Sequence, residues 1–531
     1  MPCSGVAPRV ARRQWRMASS ADAHARPVLH ALAAWPPNQL AAVDIGSNSF
    51  RVEIGQLTHG RYRRIDYIKD TVRLGAGLDE NGMLGEEAAA RGFECLARFA
   101  ERLGGAAPWQ VRAVATQTLR EARNRDAFLA RAERALGLPI EVITGREEAR
   151  LIFAGVARLQ SSRKQRLVID IGGRSTEMIL GQGTTPQRAE SFRVGSVSLS
   201  MKYFADGRFT EQGFRAAQIA SGAEIEEALA DFAPQYWEEA LGSSGTAGAV
   251  SHLLEASGVS DGRITPEGLR WLMNECLRAG HMDRLALPGL RDDRRPVIAG
   301  GMALLYTLTT HFGIDELLPT RGALRQGVIF DLHERLNPTH KGQPHDVRDA
   351  TVASLQRRFG VDVPQAQRVS RLAVALYDAA GVPDLARGEA RRELHWAGQL
   401  HEVGMMISHH DHHRHAAYVL GNADAAGFSQ SQQRRVAELV LAQRGGLRKV
   451  ETRLAQPGCA WQALCLRLAV IGCHARTAVD VTSFSLSCRD GTAVLELPSA
   501  WAEANPRTMY LLQEEAAAWD RNGPLRLVVR A

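Results

Sequence analysis

Two turns in the sequence carry the residue types that could hold a phosphate chain. The first is 44–49 (DIGSNS), and the second, 170–176 (DIGGRST), begins 126 residues later. Glycines let backbone N–H groups come close to phosphate oxygens, and the neighbouring hydroxyls and amide add donors. An aspartate at the end of a strand can hold a metal ion directly or through water. Either turn alone is as well explained by a glycine-containing hairpin, but the repetition predicts one paired site for phosphate and metal.

The candidate residues in these two turns fall into two groups by chemistry. Carboxylates suit a metal ion, whereas hydroxyls, amides and bare backbone suit phosphate. The candidate metal ligands are Asp44 and Asp170, and the candidate phosphate ligands are Ser47, Asn48, Ser49, Gly172, Gly173, Ser175 and Thr176.

Two further loops add candidates for phosphate contact. Thr116 and Arg120 follow a predicted strand, and a guanidinium group suits bidentate contact with phosphate. The alternative is an N-cap threonine and a solvated helix arginine. Gly245 and Thr246 either form a plain turn or begin a helix whose N-terminus favours an anion. The segment 299–302 (AGGM) predicts one more turn of this kind before a helix.

A pair of adjacent carboxylates at 143–150 (ITGREEAR) offers acid–base chemistry. Thr144 and Glu147 fit a capping box, which would occupy Glu147 at the start of a helix. Glu148 points about 100° away on a helix, so it can face a cleft and activate a water molecule. An acid in a first helical turn more often stabilises the helix dipole. We therefore expect Glu148 to be the general base only if the turns lie beside it.

The elements that must position these residues predict an α/β fold built from two homologous halves. A strand precedes and follows each Asp-Ile-Gly turn, and strands at 111–114 and 140–143 alternate with a helix at 126–136. Repetition of this pattern indicates duplicated half-domains. Beyond a polar stretch near 336–346, residues 347–442 are mostly helical, and strands at 494–497 and 525–529 flank a helix at 506–519. We predict a helical C-terminal domain with a small α+β end.

Four segments follow from these elements. They are a disordered basic extension at 1–38, half-domain I at 39–165, half-domain II at 166–336 and a C-terminal domain at 345–531. A chain of 531 residues is long enough for several such domains.

Composition limits the classes of partner. The chain is 45% hydrophobic and 23% charged, and it has no apolar run long enough for a membrane span. The net charge of +7 is scattered, and much of it falls in residues 1–38, so no basic stripe for nucleic acid is predicted. Seven cysteines, with no paired spacing, favour free thiols in a reducing compartment. We expect a soluble, cytoplasmic protein.

The histidines of the C-terminal region leave two interpretations open. The segments are 400–404 (LHEVG) and 409–415 (HHDHHRH). Catalytic HD hydrolases pair histidine with aspartate, and Glu402 stands in that place here. Because metal geometry depends on ligand length, the run at 409–415 is either a metal site or a polar loop.

Taken together, these motifs resemble the exopolyphosphatase and guanosine pentaphosphate phosphohydrolase family. That family has the actin-like (ribonuclease H-like) fold in two halves, with an HD-like helical domain appended. The resemblance runs from about residue 40 to the C-terminus and rests on 43–50 (VDIGSNSF), 118–120 (TLR), 145–152 (GREEARLI), 169–177 (IDIGGRSTE), 244–246 (SGT), 323–327 (ALRQG) and 400–404 (LHEVG).

The resemblance implies processive, metal-dependent removal of terminal orthophosphate from inorganic polyphosphate. Glu148 matches the family's catalytic base, and Mg²⁺ would lie near Asp170 and Glu177, which adds Glu177 to the metal ligands. Activation by K⁺ and peripheral association with the inner membrane stay open, and a homodimer is implied. The C-terminal domain would extend the polyphosphate channel or the dimer interface.

Arg174 departs from the family, which usually has a third glycine there. A positive φ at this position would strain any residue with a Cβ. The two expectations are a locally different loop or an added phosphate contact by Arg174.

Two other functions remain possible on the sequence. Hydrolysis of guanosine pentaphosphate to guanosine tetraphosphate uses the same chemistry on another substrate. A non-catalytic sensor of polyphosphate or alarmone is the rival from a different class, although a sensor has no need of Glu148. A sugar kinase or chaperone ATPase of the same superfold is weaker, because Glu148 stands in the family's Glu-Glu-Ala setting.

Overall fold

A computed structural model describes residues 34–337, 346–381, 387–456, 458–489 and 491–531. The predicted extension at 1–38 lies almost entirely outside the described residues, as does most of the predicted polar stretch near 336–346. The strands are β1 (Gln39–Ile45), β2 (Phe50–Thr58), β3 (Arg61–Asp70), β4 (Val111–Ala115), β5 (Ile140–Val142), β6 (Gln165–Ile171), β7 (Thr176–Gln182), β8 (Thr185–Phe192), β9 (Glu239–Ser243), β10 (Leu317–Pro319), β11 (Ser485–Arg489), β12 (Thr492–Glu496) and β13 (Arg526–Arg530).

Nineteen α-helices lie in the part of the chain that the structure describes. They are α1 (Glu86–Arg102), α2 (Gln117–Glu121), α3 (Arg125–Leu136), α4 (Gly145–Leu159), α5 (Ser196–Tyr203), α6 (Glu211–Ile225), α7 (Gly245–Ala256), α8 (Pro266–Ala279), α9 (Ile298–His311), α10 (Leu324–Leu336), α11 (Val347–Arg358), α12 (Val363–Ala380), α13 (Arg387–Leu400), α14 (His412–Asn422), α15 (Gln430–Ala442), α16 (Glu451–Leu454), α17 (Cys459–Gly472), α18 (Ser499–Ala504) and α19 (Pro506–Asn522). Among the described residues, no helix combines the length and apolarity that a membrane crossing requires.

Two five-stranded sheets have the same strand order and the same strand directions. The first runs β3-β2-β1-β4-β5 and the second β8-β7-β6-β9-β10. In each, the strand before the Asp-Ile-Gly turn pairs antiparallel with the strand after it and parallel with the next strand along the chain. The predicted α/β fold with duplicated halves is therefore confirmed.

The two halves exchange their last helices across a shared core. Helix α4 follows the first sheet in the chain but packs on β7 and β8, whereas α10 follows the second sheet and packs on β1 and β2. Between them, apolar side chains of both sheets form one buried cluster with those of α4 and α10. The helices meet at bare backbone, since a Cβ on Gly327 would lie 1.7 Å from the carbonyl oxygen of Leu151. The position of α4 is therefore set by both halves at once.

The turn predicted at 299–302 is wrong, because these residues lie inside α9. Glycine weakens an isolated helix, which is why the sequence favoured a turn. A Cβ on Gly300 would lie 2.6 Å from the carbonyl oxygen of Ser196. Tertiary packing of α9 against α5 therefore outweighs the local preference.

The C-terminal region is helical with a small terminal sheet, as predicted. Helices α11 to α17 surround a separate apolar core, and β11, β12 and β13 form the sheet. The region docks at the start of α4, where the N–H of Gly427 donates to Glu147 Oε2 at 2.8 Å and Ile143 bridges to Ser429.

The histidine segments of the C-terminal region form contacts within the protein. His401 Nδ1 lies 2.8 Å from the carbonyl oxygen of Gly398, and Glu402 forms an ion pair with Arg476. His412 and His413 are buried in the first turn of α14. No group of three or more His, Cys, Asp or Glu side chains within the described residues could hold a metal ion. The polar-loop alternative is therefore wrong for His412 to His415, which lie in α14.

A buried ionic network ties α10 to the first half. Asp331 accepts hydrogen bonds from Arg112 at 2.7 Å and from Arg150 and Arg335 at 2.6 Å each. Burial tends to raise the pKa of Asp331, but the three guanidinium groups outweigh burial and hold that pKa far below its usual value. The network is stable only with its carboxylate charged.

We expect Asp331→Asn to cost about 3–5 kcal/mol of stability, because buried arginines lose their counter-charge. A carboxylate whose pKa is lowered by folding stabilises above its unfolded pKa of about 3.9 and loses this effect as pH falls. The difference in thermal midpoint between wild type and variant should therefore shrink below about pH 4.

The matched control is Glu86→Gln, which removes an exposed ion pair with Arg131 and should cost no more than about 1 kcal/mol. Equal, small losses in the two variants would contradict a structural role for the network.

Candidate active site

A cavity of about 330 Å³ lies between the two half-domains. It brings together most of the residues that the sequence predicts. Those lining it are Asp44, Ser47, Asn48, Ser49, Thr116, Glu148, Asp170, Gly172, Gly173, Ser175, Gly245 and Thr246. The remaining candidates, Arg120, Thr176 and Glu177, do not line it.

The first turn presents hydroxyls that are held ready at the cavity. Strand pairing places Ile45 opposite Phe50, so residues 46–49 form the tip of the hairpin. Thr118 Oγ1 donates to Ser47 Oγ at 2.8 Å, which fixes that side chain. Ser49 Oγ is buried and has no partner within the described residues. A buried polar atom without a partner is costly, so Ser49 is placed to bind a ligand.

The second turn touches the first. The carbonyl oxygens of Gly172 and Gly173 accept from the N–H groups of Ser196 and Val197, which anchors the turn on α5. A Cβ on Gly173 would lie 3.2 Å from Ser47 Cβ. A glycine is needed at 173 because the two turns approach this closely.

Helix α7 points its N-terminus at the same cavity. Ser244 caps it by accepting from the N–H groups of Thr246 and Ala247, both at 3.1 Å. A Cβ on Gly245 would lie 2.2 Å from Arg294 Nη2. The N-terminus therefore adds both a helix dipole and an adjacent guanidinium for an anion.

Helix α4 brings Glu148 to the cavity and turns Glu147 away from it. The N–H of Glu147 donates to Thr144 Oγ1 at 3.1 Å, as a capping box requires. The reciprocal half of the predicted box is absent, since the Glu147 carboxylate instead pairs with Arg150 at 2.7 Å. The neighbouring Glu148 carboxylate accepts from Arg120 Nη1 at 2.7 Å.

Arg120 lies behind Glu148 and keeps one donor free. Its Nε donates to Gln117 Oε1 at 2.8 Å, and its Nη1 also reaches the carbonyl oxygen of Ile143 at 3.1 Å. Its Nη2 is buried without a hydrogen-bond partner, 4.0 Å from Glu177 Oε1. Arg120 therefore orients Glu148 and holds a spare N–H beside the carboxylates.

Two candidates from the second turn face the interior. Thr176 is fully buried and donates its hydroxyl to the carbonyl oxygen of Val194 at 2.7 Å, so its position does not fit the predicted phosphate contact. Glu177 is buried and accepts from Ser191 Oγ at 2.8 Å. Thr176 anchors the turn, and Glu177 places a carboxyl group behind the cavity.

Burial, together with the charges of neighbouring carboxylates, raises the pKa values of the acids in the site. Burial raises the pKa of Glu148 and is partly opposed by Arg120. Burial likewise raises the pKa of Asp170 to about 7, with a hydrogen bond from Ser243 opposing it and the charges of Glu148 and Asp44 adding to it. The pKa of Glu177 lies well above its usual value through burial and the charge of Glu148. The cluster therefore carries more negative charge than its surroundings neutralise.

Arginine and lysine side chains at the cavity complete the site, and sequence reasoning missed their role. They are Arg51, Lys69, Arg291, Arg294, Arg321 and Arg325. Arg51 and Arg325 approach Asp44 Oδ2 at 3.4 and 3.3 Å. The sequence could have indicated Arg51, because the predicted hairpin pairs it with Asp44. Arg291 and Arg294 come from a distant loop and had no such signal.

Arg174 neither strains the second turn nor lines the cavity. Its backbone φ is not positive, so the strain considered from the sequence does not arise. Its guanidinium pairs with Glu121 of the first half, with Nη2 at 2.8 Å from Glu121 Oε2. The expected phosphate contact by Arg174 is replaced by a contact between the halves.

The fold and the site define a phosphoanhydride hydrolase with a polar cleft between two actin-like halves. The model of the Ppx/GppA phosphatase family matches residues 54–336, and that of Ppx/GppA phosphatase, domain III matches residues 347–516. The chain belongs to the Ppx/GppA phosphatase family.

One named relative is similar to most of this chain, and two proteins of known structure are similar to a little over half of it. A guanosine-5'-triphosphate,3'-diphosphate pyrophosphatase from Photobacterium profundum is 36% identical over 478 residues, which are 90% of this chain and 95% of that protein. An exopolyphosphatase-like protein of known structure is 25% identical with a TM-score of 0.51 and covers 56% of this chain and 98% of its own. An exopolyphosphatase from Cytophaga hutchinsonii, 22% identical with a TM-score of 0.50, covers 55% and 97% and supports the fold alone.

We expect Asp170→Asn to stabilise the metal-free protein, and more so at higher pH. The native state holds a proton on Asp170 up to about pH 7, whereas the unfolded state releases it near pH 3.9. Because of this group, the stability of the native state therefore falls as the pH rises from about 4 to about 7. An asparagine at position 170 does not titrate, so the variant avoids this loss of stability.

The measurement is the thermal midpoint in chelator from pH 4.5 to 8.5, with the exposed Asp315→Asn as control. The gain of Asp170→Asn over wild type should grow up to about pH 7 and then level off. A gain that is constant with pH would contradict the raised pKa.

Proposed function

We propose that the chain hydrolyses guanosine-5'-triphosphate,3'-diphosphate, also called guanosine pentaphosphate, to guanosine tetraphosphate and orthophosphate. The observation that carries this proposal is the pyrophosphatase relative, whose likeness extends over 90% of this chain. The sequence motifs had placed inorganic polyphosphate first and the nucleotide second. The relative reverses that order, because it matches the C-terminal domain as well as the two halves.

The residues of the cleft support direct attack by water on the terminal phosphorus. Glu148 accepts a proton from the water. The oxygen of the water forms the new bond to phosphorus, and the bond from phosphorus to the bridging oxygen breaks in line with it. A raised pKa makes Glu148 a better base near neutral pH. The freed bridging oxygen leaves with the nucleotide, and no covalent enzyme intermediate is required.

The donors around the cleft suit the terminal phosphate. Ser47, Asn48 and Ser49 offer side chains on one side, and the N-terminus of α7 at Gly245 lies on the other. The free Nη2 of Arg120 lies beside Glu148. Donors aimed at the equatorial oxygens stabilise the charge that the transition state spreads over them.

The cavity offers two carboxylates to a Mg²⁺ ion that binds together with the substrate, since no group of three or more ligand side chains among the described residues could hold a metal ion alone. Mg²⁺ commonly uses one or two protein carboxylates and fills its other positions with phosphate oxygens and water. Asp170 and Asp44 line the cavity and would hold it, with Glu177 behind them. When bound, Mg²⁺ neutralises charge on the phosphate oxygens. K⁺ activation is an expectation of the family resemblance alone.

Inorganic polyphosphate is the second candidate substrate. The cations Arg51, Lys69, Arg291, Arg294 and Arg321 line the cavity together with the acids, and such a cluster suits a long polyanion. Likeness to the exopolyphosphatase-like protein also favours it. A homodimer, a cytoplasmic location and peripheral membrane association remain expectations of the resemblance.

We expect Glu148→Gln to lower orthophosphate release by about 10² to 10⁴-fold, the usual range for loss of a general base. Release is measured with Mg²⁺ on guanosine pentaphosphate and on long-chain polyphosphate in parallel. The control is Glu101→Gln on the exposed face of α1, which should keep wild-type rates.

The substrate comparison decides between the candidates. A higher kcat/KM on the nucleotide supports the proposal, whereas a higher value on polyphosphate replaces it with the second candidate. Binding of either substrate without any release by wild type would instead support the sensor.

We expect Mg²⁺ to strengthen substrate binding in the inactive Glu148→Gln background by at least about tenfold, since phosphate oxygens and protein carboxylates would share the ion. Adding Asp170→Asn should remove this dependence on Mg²⁺, as measured by titration calorimetry. Unchanged Mg²⁺ dependence in the double variant would exclude Asp170 as a ligand.

A further inference from the structure

Arg174 of the second turn is bound to the first half by its whole guanidinium group. Its Nε and Nη2 lie 2.9 and 2.8 Å from Glu121 Oε2, and its Nη1 donates to the carbonyl oxygen of Gly75 at 3.2 Å. All three contacts join residues of different halves. They hold the two phosphate turns together where Gly173 approaches Ser47.

The carboxylate that receives Arg174 continues into a chain of hydrogen bonds. Gln117 Nε2 donates to Glu121 Oε1 at 2.6 Å, and Arg120 Nε donates to Gln117 Oε1 at 2.8 Å. Arg120 Nη1 then donates to Glu148 Oε2 at 2.7 Å. Consecutive hydrogen bonds therefore connect the second turn, through α2, to the Glu148 carboxylate at the cavity.

The donor and acceptor directions of these hydrogen bonds require a side chain at position 117 that both accepts and donates. Its amide must present oxygen to Arg120 and nitrogen to Glu121, because an arginine only donates and a carboxylate only accepts. The chain also becomes less exposed toward the cavity, as the side chains of Arg174 and Glu121 are 22% and 25% exposed and that of Arg120 is 10% exposed. Hydrogen bonds in such surroundings are stronger and more directional than at the surface.

We propose that Arg174, Glu121 and Gln117 are positioning residues that couple closure of the two phosphate turns to the orientation of Arg120 and Glu148. This proposal rests on the proposed function, in which Glu148 activates the attacking water. When the turns meet, Arg174 fixes Glu121, Glu121 fixes the Gln117 amide, and Gln117 fixes the guanidinium that holds Glu148. Without Arg174, Glu121 loses the bond that fixes it, and the Gln117 amide that orients Arg120 is held less firmly.

The test separates turnover from binding. Arg174→Ala, Glu121→Gln and Gln117→Leu should each lower kcat about tenfold or more, since small displacements of a reacting group carry costs of this order. Substrate affinity, measured in the inactive Glu148→Gln background, should change by less than about twofold. A direct phosphate contact by Arg174 would instead weaken affinity and overturn the proposal.

Combining the changes tests whether the residues act as one chain. The double variant Arg174→Ala with Gln117→Leu should lose no more kcat than the worse single variant, because a broken chain cannot be broken again. Independent, additive losses would overturn the proposal. The control Glu316→Gln removes an exposed ion pair with Arg263 far from the chain and should keep the wild-type kcat.

Charge reversal separates closure from coupling. Arg174→Glu with Glu121→Arg can restore the ion pair, but an arginine at 121 cannot accept from Gln117. The reversed pair should regain the thermal midpoint lost in Arg174→Ala and leave kcat low. Recovery of kcat with the midpoint would show that the ion pair alone matters and would overturn the coupling.

Failure of the proposed function is distinguishable from failure of this coupling. Turnover that survives in Glu148→Gln removes Glu148 as the base. An inactive Glu148→Gln together with wild-type kcat in Gln117→Leu removes only the positioning chain.

Discussion

The contact between α4 and α10 is the constraint on which the rest of the structure depends. Each helix packs on the sheet of the other half, and they cross where Gly327 meets the backbone of Leu151. A single methyl group there would overlap backbone atoms, so the two helices meet backbone to backbone at this point. Glu148 lies on α4, three residues before this contact. Its place at the cavity therefore follows from helix packing that involves both halves.

Acidic and basic side chains both line the cleft. Burial raises the pKa values of Glu148, Asp170 and Glu177, and the charges of neighbouring carboxylates add to the rise. The raised pKa values record the cost of burying these acids close together. A protein that only bound an anion would gain nothing from this cost. Under the proposed function, a metal ion held by these acids and phosphates held by the neighbouring cations would neutralise both sets of charges.

Sequence reasoning reached those parts of the site that depend on local chemistry. The Asp-Ile-Gly turns, their flanking strands and Glu148 were predictable because hairpin pairing and helical periodicity act over a few residues. Contacts between distant segments gave no such signal. Arg174 meets Glu121 from 53 residues away, and Arg294 approaches Gly245 from another loop. The turn expected at 299–302 was wrong for the same reason, since packing of α9 on α5 decided it.

The duplicated halves contribute different groups to the candidate site. The first half contributes Glu148 and the first turn to the cavity, whereas the second contributes Asp170, the second turn and the N-terminus of α7. The cavity is therefore complete only where the two halves meet. Arg174 spans them by pairing with Glu121 and does not itself line the cavity. The geometry of the candidate site is in this way a property of the contact between the halves.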